Sequence, residues 1–352
     1  MAIVIIGAGF AGASVAWWLA RLGVKNVVVL EREEMPGLHA SGVNASMARE
    51  FEEDTVISPL AEEGAEFIRK PPNEFSENQL VELSGSLLLS VNEVKSAKMP
   101  KRSKVISKKD AVKKVPFLEA ASFDNALWSP NDCVIDIHSY LWSFINGAKS
   151  MGAKFLLKRE IKGFKSTNSK INVVETNQGD VAADLVVNAA GAWSQDLALM
   201  AGGEDLKIVS YRRHLYCTPQ MREVDPKWPF VWDVKNEYYF RPESGGLLLG
   251  PADEEPSRPC IPQINPKMRE VLAEKLIRYC PSVANVSIAK EWCGLRTFTP
   301  DRRPVVRFDE SIKNLFWISA LGGRGVTCAA SVGRIAAEEI KRYESKHLSQ
   351  RT

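Results

Sequence analysis

The first thirty residues constrain this chain more than any other stretch. Residues 2–6 (AIVII) form an uninterrupted apolar, largely β-branched run. Gly7-Ala8-Gly9-Phe10-Ala11-Gly12 follows, then an apolar segment of helical length at 11–22 and a second apolar run at 26–30. A G-x-G-x-x-G hexapeptide alone is a weak signal. Between a strand and a helix, with a second strand after it, it predicts a βαβ turn built to approach a dinucleotide pyrophosphate. The first glycine permits the sharp turn and the second admits the phosphates. The third, where the helix opens, lets that helix pack on the strand with its amides facing the anion. Glu31 closes the second strand 19 residues beyond Gly12. A carboxylate there can accept both ribose hydroxyls and disfavours a 2′-phosphate, so the spacing points to FAD or NAD rather than NADP. Ala8, Phe10, Ala11 and Arg32 flank these positions and count as cofactor contacts. Residues 3–20 carry no charge over 18 positions. Three glycines break the run after its first residues, so strand, turn and buried helix explain it better than a membrane span or a signal peptide.

A length of 352 residues exceeds what one hydrophobic core usually serves, which predicts two domains. A net charge of +3 is too small to make nucleic acid the main partner. The six cysteines lie far apart without Cys-x-x-Cys or His/Cys metal spacing. That predicts reduced thiols, no metal, and a cytoplasmic chain that is at most peripheral to a membrane. Periodicity predicts a loop from 36 to 46, a helix at 59–70 and strand with a turn at 80–91. A helix at 139–151 precedes strands near 154–158, 161–166, 171–176 and 184–188. Alternating sheet at 207–218, 230–241 and 246–250, a helix at 266–279, a strand at 315–319 and a helix from 328 to 346 complete the reading. Between 95 and 114, nine Lys/Arg face one acid, Asp110, with a short helix at 108–114. This reads as a solvated face, or as a surface for an anionic partner. The fold expected is α/β. A Rossmann-like nucleotide domain is assembled from 1–45, 139–205 and 293–352. An inserted α+β domain with a large mixed or antiparallel sheet comes from 46–138 and 206–292.

Five further motifs occur in order: LEREEMPGLHASGVNAS from Leu30, DLVVNAAGAWSQDLA, YYFRPESGGLLLG, WCGLRTFTPDRRPVV and NLFWISALGGRGVTCAASVGRIAAEEI. Together they resemble the FAD-dependent amino-acid oxidoreductases of the D-amino-acid oxidase and glycine oxidase superfamily, over nearly the whole chain. Several pieces are similar to D-arginine dehydrogenase in particular. The resemblance implies non-covalent FAD. The small polar loop of His39, Ala40, Ser41, Asn44, Ala45, Ser46 and Met47 would wrap the pyrophosphate and one side of the flavin. Ala190, Gly191 and Trp193 would run beside the dinucleotide, and the backbone of Ile161 would meet the adenine. Gly322, Gly323, Arg324, Gly325, Val326 and Thr327 would lie along the flavin edge. A helix N-terminus there places partial positive charge near a flavin that becomes anionic on reduction.

The same resemblance assigns the substrate carboxylate to Arg296 of Gly294-Leu295-Arg296, a planar two-pronged donor that also borders the flavin. Tyr239, Arg213 and Gly323 match its companions. The implied chemistry oxidises the Cα–N bond of an amino acid, a D-amino acid first, by hydride transfer to flavin N5. The resulting imine is hydrolysed to a 2-oxo acid. No catalytic acid or base is nominated, because a substrate amine can lose its proton on binding. Where D-arginine dehydrogenase carries a histidine and a lid tyrosine, this chain has Met47 and Glu52. Where that enzyme has an acid for the arginine side chain, it has Ser86. Arginine selectivity is therefore not implied, although Glu52 keeps a basic substrate open. Glycine, sarcosine or proline stand as alternatives. So does a flavin subunit of a hetero-oligomeric sarcosine oxidase or proline dehydrogenase complex, docked through 95–114. Oxygen, a quinone or a partner protein are the candidate electron acceptors. In sarcosine oxidase the flavin-bound cysteine falls where Gly294 stands here. Cys293, one residue earlier, faces the other way, so neither it nor His39 is expected to bond the flavin.

Overall fold

A computed structural model describes residues 1–90 and 99–348. Residues 91–98, which include Lys95, Lys98 and the end of the expected strand at 80–91, lie outside the described residues.

The β-branched run at the start becomes the strand Ile3–Ile6 at the centre of a six-stranded sheet. On one side lie Val27–Leu30 and Lys154–Leu156. On the other lie Leu185–Asn188, Leu315–Ser319 and, antiparallel at the edge, Val305–Phe308. All the other neighbours are parallel, and parallel strands need both faces covered. The period-two alternation distributes them. Ile3 and Ile5 join the helices Phe10–Arg21, Ser58–Arg69, Ile137–Ser150 and Gly325–Leu348 in one core. Val4 and Ile6 join a second core beneath a small antiparallel sheet of Ile161–Thr167, Lys170–Thr176 and Val181–Ala182. Trp17 meets the rings of Phe67, Phe75 and Phe144 edge-on at 5.0–5.7 Å, so replacing it with Ala should cost about 3–5 kcal/mol.

The second large element is a nine-stranded mixed sheet. The segment expected as one strand at 230–241 is two, Phe230–Asp233 and Tyr238–Glu243, because Asp233 caps a turn by accepting the Asn236 N–H. In this sheet Tyr216, Leu249, Phe240 and Val231 face Leu272 and Leu276 of the helix Lys267–Tyr279 and Ala111 of the helix Lys108–Lys114. Arg213, Leu215, Tyr239 and Trp232 alternate with them and share the opposite face.

Several boundaries differ from expectation. The first helix opens at Phe10 rather than Gly12, so its N-terminus sits directly on the glycine turn. The last helix opens at Gly325 rather than Cys328, which brings its first amides to the Gly322–Arg324 turn. Residues 290–298 continue the large sheet beside Val209–Cys217. The helix Ser58–Arg69, expected with that sheet, packs its Ala61 and Ile68 into the core of the parallel sheet. No helix among the described residues is long and apolar enough to cross a membrane. All six cysteines are unpaired.

Candidate active site

The strand order reverses at Ile3–Ile6, and a crevice beyond the carboxyl ends of such strands is where α/β sheets bind ligands. Here those ends are Gly7, Glu31, Ala189-Ala190 and Ala320-Leu321, and all line one elongated cavity. Its first part is built for backbone approach. Gly7 has φ +101°, and a Cβ there would sit 2.5 Å from the Ala189 carbonyl oxygen. A Cβ on Gly9 would meet Ser41 Oγ at 2.8 Å, and one on Gly12 would strike the Gly7 carbonyl oxygen at 1.9 Å. The third glycine therefore serves helix–strand packing, as its spacing implied, and does not reach the cavity.

Glu31 points back into this turn, accepting the Ala8 N–H at 2.8 Å and the Glu33 N–H at 3.0 Å. Carboxylate oxygens carry further lone pairs, so hydroxyl donors can still be met. Arg32 lies over the Trp193 ring at 4.1 Å, and His39 is 4.7 Å from the same ring. Hydrogen bonds from His39 and then Arg32 hold the Glu33 carboxyl below its usual range. In the polar loop, Ser41 Oγ accepts the Phe10 N–H, while Asn44 donates to the Ser41 carbonyl and accepts the Ser46 N–H. Asn44 thereby fixes a loop with little apolar packing of its own.

Of the expected cofactor contacts, Gly7, Gly9, Phe10, Ala11, Glu31 and Arg32 from the first βαβ unit line the cavity. His39, Ala40, Ser41 and Asn44 of the polar loop line it too. So do Ile161, Ala190, Gly191 and Trp193, and Arg296, Gly322, Gly323, Gly325 and Val326. Others stand behind the wall. Ala45 offers its carbonyl to Arg241, Ser46 bonds Ile135, and Met47 packs beside Leu215 and Tyr239. Thr327 abuts Gly64, and Arg324 turns away to Glu52. Arg159, Asp196, Leu215 and the loop of Cys260 and Ile261 also line the cavity. Asp196 belongs to the DLVVNAAGAWSQDLA segment, whereas Arg159, Leu215, Cys260 and Ile261 lie in no motif and tertiary contact alone brings them there.

In the large sheet, Arg296 lies opposite Tyr211 across the strand pair, and Arg213 lies opposite Gly294. Both guanidinium-bearing side chains therefore share the face that carries Tyr239. The Arg296 guanidinium packs on Gly323, where a Cβ would stand 2.7 Å from its Nη1. It has no hydrogen-bond or ion-pair partner among the described residues. Burial first, then the nearby charges of Arg213 and Arg49, push its pKa down to about 9, against the opposing pull of Tyr239. Tyr239 is 4% exposed, and its buried hydroxyl has no partner among the described residues. The Nε of Arg213 and the Nε1 of Trp232 are in the same position, although Arg213 Nη2 donates to Glu254 at 3.0 Å. A group of donors without acceptors calls for an anionic or acceptor-rich ligand.

Two expectations meet a different arrangement. Glu52, expected beside the substrate, accepts from Arg324 Nε at 2.6 Å and is not on the cavity wall. A buried carboxylate requires a partner, and the protein supplies it internally, so no open acid awaits a basic side chain. Ser86 is buried and donates to Asp132 Oδ2 at 2.6 Å. Arg49, which no motif marked, lies over the Trp232 ring at 4.2 Å. His214 is held between Asp253 and the Asn265 N–H, and Cys293 lies beside it. Among the described residues no group of His, Cys, Asp or Glu could hold a metal ion.

Residues 2–339 match the family described as DAO, FAD dependent oxidoreductase. The chain belongs to this family. FAD is its cofactor, and the glycine turn, Glu31 and the cavity they line fit a dinucleotide. Human mitochondrial dimethylglycine dehydrogenase is 23% identical over 96% of this chain, which spans only 42% of that protein. D-amino acid dehydrogenase of Rhizorhabdus wittichii is 26% identical, over 97% of this chain and 96% of its own. Among solved structures, L-proline dehydrogenase from P. horikoshii superposes with a TM-score of 0.84 at 24% identity. The match covers 97% of this chain and 93% of the other. Glycine oxidase from Bacillus cereus superposes at 0.78 with 20% identity, covering 96% of each. The chain is thus an FAD-dependent oxidoreductase of this family.

Proposed function

We propose that this chain oxidises the Cα–N bond of an amino acid, a D-amino acid first, with non-covalent FAD. The observation that carries the reading is Arg296, a half-buried guanidinium without a partner among the described residues, packed against Gly323 and within electrostatic reach of the unpartnered Tyr239. FAD, when bound, supplies the two-electron acceptor at N5. Arg296 would grip the substrate carboxylate through both oxygens, with Tyr239 as a second donor, and so set the Cα–H direction. The cations Arg49, Arg213 and Arg296 lower the basicity of a substrate ammonium brought among them, so its proton leaves to water without a dedicated base. As Cα–H departs with its electron pair, the amine lone pair forms the C=N bond. Water then adds, and ammonia leaves from a 2-oxo acid.

An N-substituted amino acid is the second reading. It is favoured by the likeness to proteins described as dimethylglycine dehydrogenase and L-proline dehydrogenase. An acyclic N-substituted substrate would release an amine instead of ammonia, a cyclic one would keep its nitrogen tethered, and a partner subunit would belong to this reading. Anaerobic bleaching of the bound flavin by a panel of D- and L-amino acids, N-methylglycines and proline decides between them. Bleaching by none of these would defeat both.

A further inference from the structure

The substrate-facing side of the large sheet carries more cationic donors than one α-carboxylate engages. Arg296 has no ion-pair partner among the described residues. Arg213 shares Glu254 with Arg302, leaving its own Nε without a partner. Arg49 reaches Glu52 only at 3.7 Å, because the other oxygen of that carboxylate is held by Arg324 at 2.6 Å. Asp132, the remaining acid within electrostatic reach of Arg49, is engaged by Ser86 Oγ and the Glu50 N–H. Burial pushes the Arg49 pKa down, and Glu52 and Asp132 only partly oppose this. Arg49 is not adrift. Its guanidinium is fixed over Trp232, whose ring centre lies 6.3 Å from that of Tyr239. The orphan donors Tyr239 OH and Trp232 Nε1 sit on this same face. Arg49, Trp232, Tyr239 and Arg296 thus lie in one neighbourhood, with unsatisfied donors beside two guanidinium groups.

We propose that Arg49 forms a second anion subsite and that the substrate is an amino or imino acid bearing a second carboxylate. The inference rests on the oxidation reading above. Arg296 takes the α-carboxylate, and Arg49, supported by Trp232, takes the carboxylate at the other end. Arginine suits this position because a stacked guanidinium keeps its planar fork free for a carboxylate, which an ammonium cannot imitate. A neutral side chain would leave Arg49 with only the Glu52 oxygen at 3.7 Å. A basic one would meet like charge.

Two measurements on the FAD-loaded enzyme separate this inference from the reading beneath it. The first titrates non-oxidisable acids, succinate against propionate, followed by flavin absorbance. The second is anaerobic flavin reduction by matched pairs: D-aspartate against D-alanine, and iminodiacetate against sarcosine. Succinate should bind at least 10-fold more tightly than propionate. The diacid of at least one pair should exceed its neutral mate at least 30-fold in the second-order rate constant of reduction. In Arg49→Gln the succinate-to-propionate ratio should fall at least 10-fold, and Arg49→Lys should retain an intermediate ratio. If Arg49→Gln does not fold, the Arg49→Lys ratio carries the test, and a value equal to the parent's overturns the assignment. Reduction by neutral amino acids with no diacid preference and no succinate preference overturns the second subsite and leaves the oxidation reading standing. A succinate preference with reduction by no compound of the panel supports the subsite and overturns the oxidation reading.

Discussion

Replacing Arg296 with Ala should separate activity from stability in opposite directions. The guanidinium is withdrawn from water, has no internal anion among the described residues, and feels Arg213 and Arg49 as like charges. A pKa depressed from 12.5 to about 9 corresponds to roughly 5 kcal/mol against the charged form, an upper figure because open cavity solvent relieves part of it. The sign follows from linkage. A base whose folded pKa lies below its unfolded value destabilises the fold while it is protonated in both states, so the penalty is present at neutral pH and fades above about pH 9. Removing the group should therefore leave the ligand-free protein at least as stable as the parent, with equal or higher Tm at pH 7. Activity should move the other way. A charge-assisted, two-pronged contact to the substrate carboxylate is worth about 3 kcal/mol and also sets the reacting geometry, so kcat/KM should fall at least about 100-fold. Arg296→Lys should recover only part of that loss, because an ammonium lacks the fork. FAD content should stay near that of the parent. The assays are thermal unfolding of both forms, flavin-to-protein ratio, and steady-state kinetics with an artificial acceptor. Near-normal kcat/KM combined with loss of FAD would show that Arg296 serves the cofactor and would refute the reasoning.

Four further outcomes are expected. Acid precipitation should release intact FAD into the supernatant. Gly7→Ala should retain less than half of the parent's flavin, since φ +101° and the Ala189 carbonyl at 2.5 Å leave no room for a methyl; flavin in the pellet would contradict non-covalent binding. D-arginine should not exceed D-alanine or D-methionine by more than about 100-fold in kcat/KM, roughly 2.7 kcal/mol, because Ser86 offers no acid and Glu52 is held by Arg324. Burial raises Asp132 from 3.8 to about 6, so its ionised form opposes folding as pH climbs through that window. The Tm of Asp132→Asn relative to the parent should therefore rise between about pH 4 and 7, by up to roughly 3 kcal/mol in stability, and a gap independent of pH would refute this.

Much of the nucleotide half was legible in the sequence because its physics is local. A β-branched run, three glycines at fixed spacing and an acid at the next strand end specify the βαβ turn, although the carbonyl that crowds Gly7 comes from distant Ala189. The small residues at Ala190 and Gly191 and the glycines at 322, 323 and 325 were legible for the same reason. Close backbone approach excludes side chains, and that exclusion is written in composition. The G-L-R segment drew attention to Arg296, which lines the cavity. The absence of an anion beside it was not readable, since partners come from any part of the chain. Glu52 shows the limit. In sequence it is an acid near a substrate loop, and only packing brings Arg324, 272 residues away, to claim its carboxylate. Arg49 shows the converse. It lies in no motif, and its fixed guanidinium exists because Trp232 arrives from another strand. Local backbone rules decide where a cofactor can lie, whereas long-range pairing of charges decides which of them remain free for a substrate.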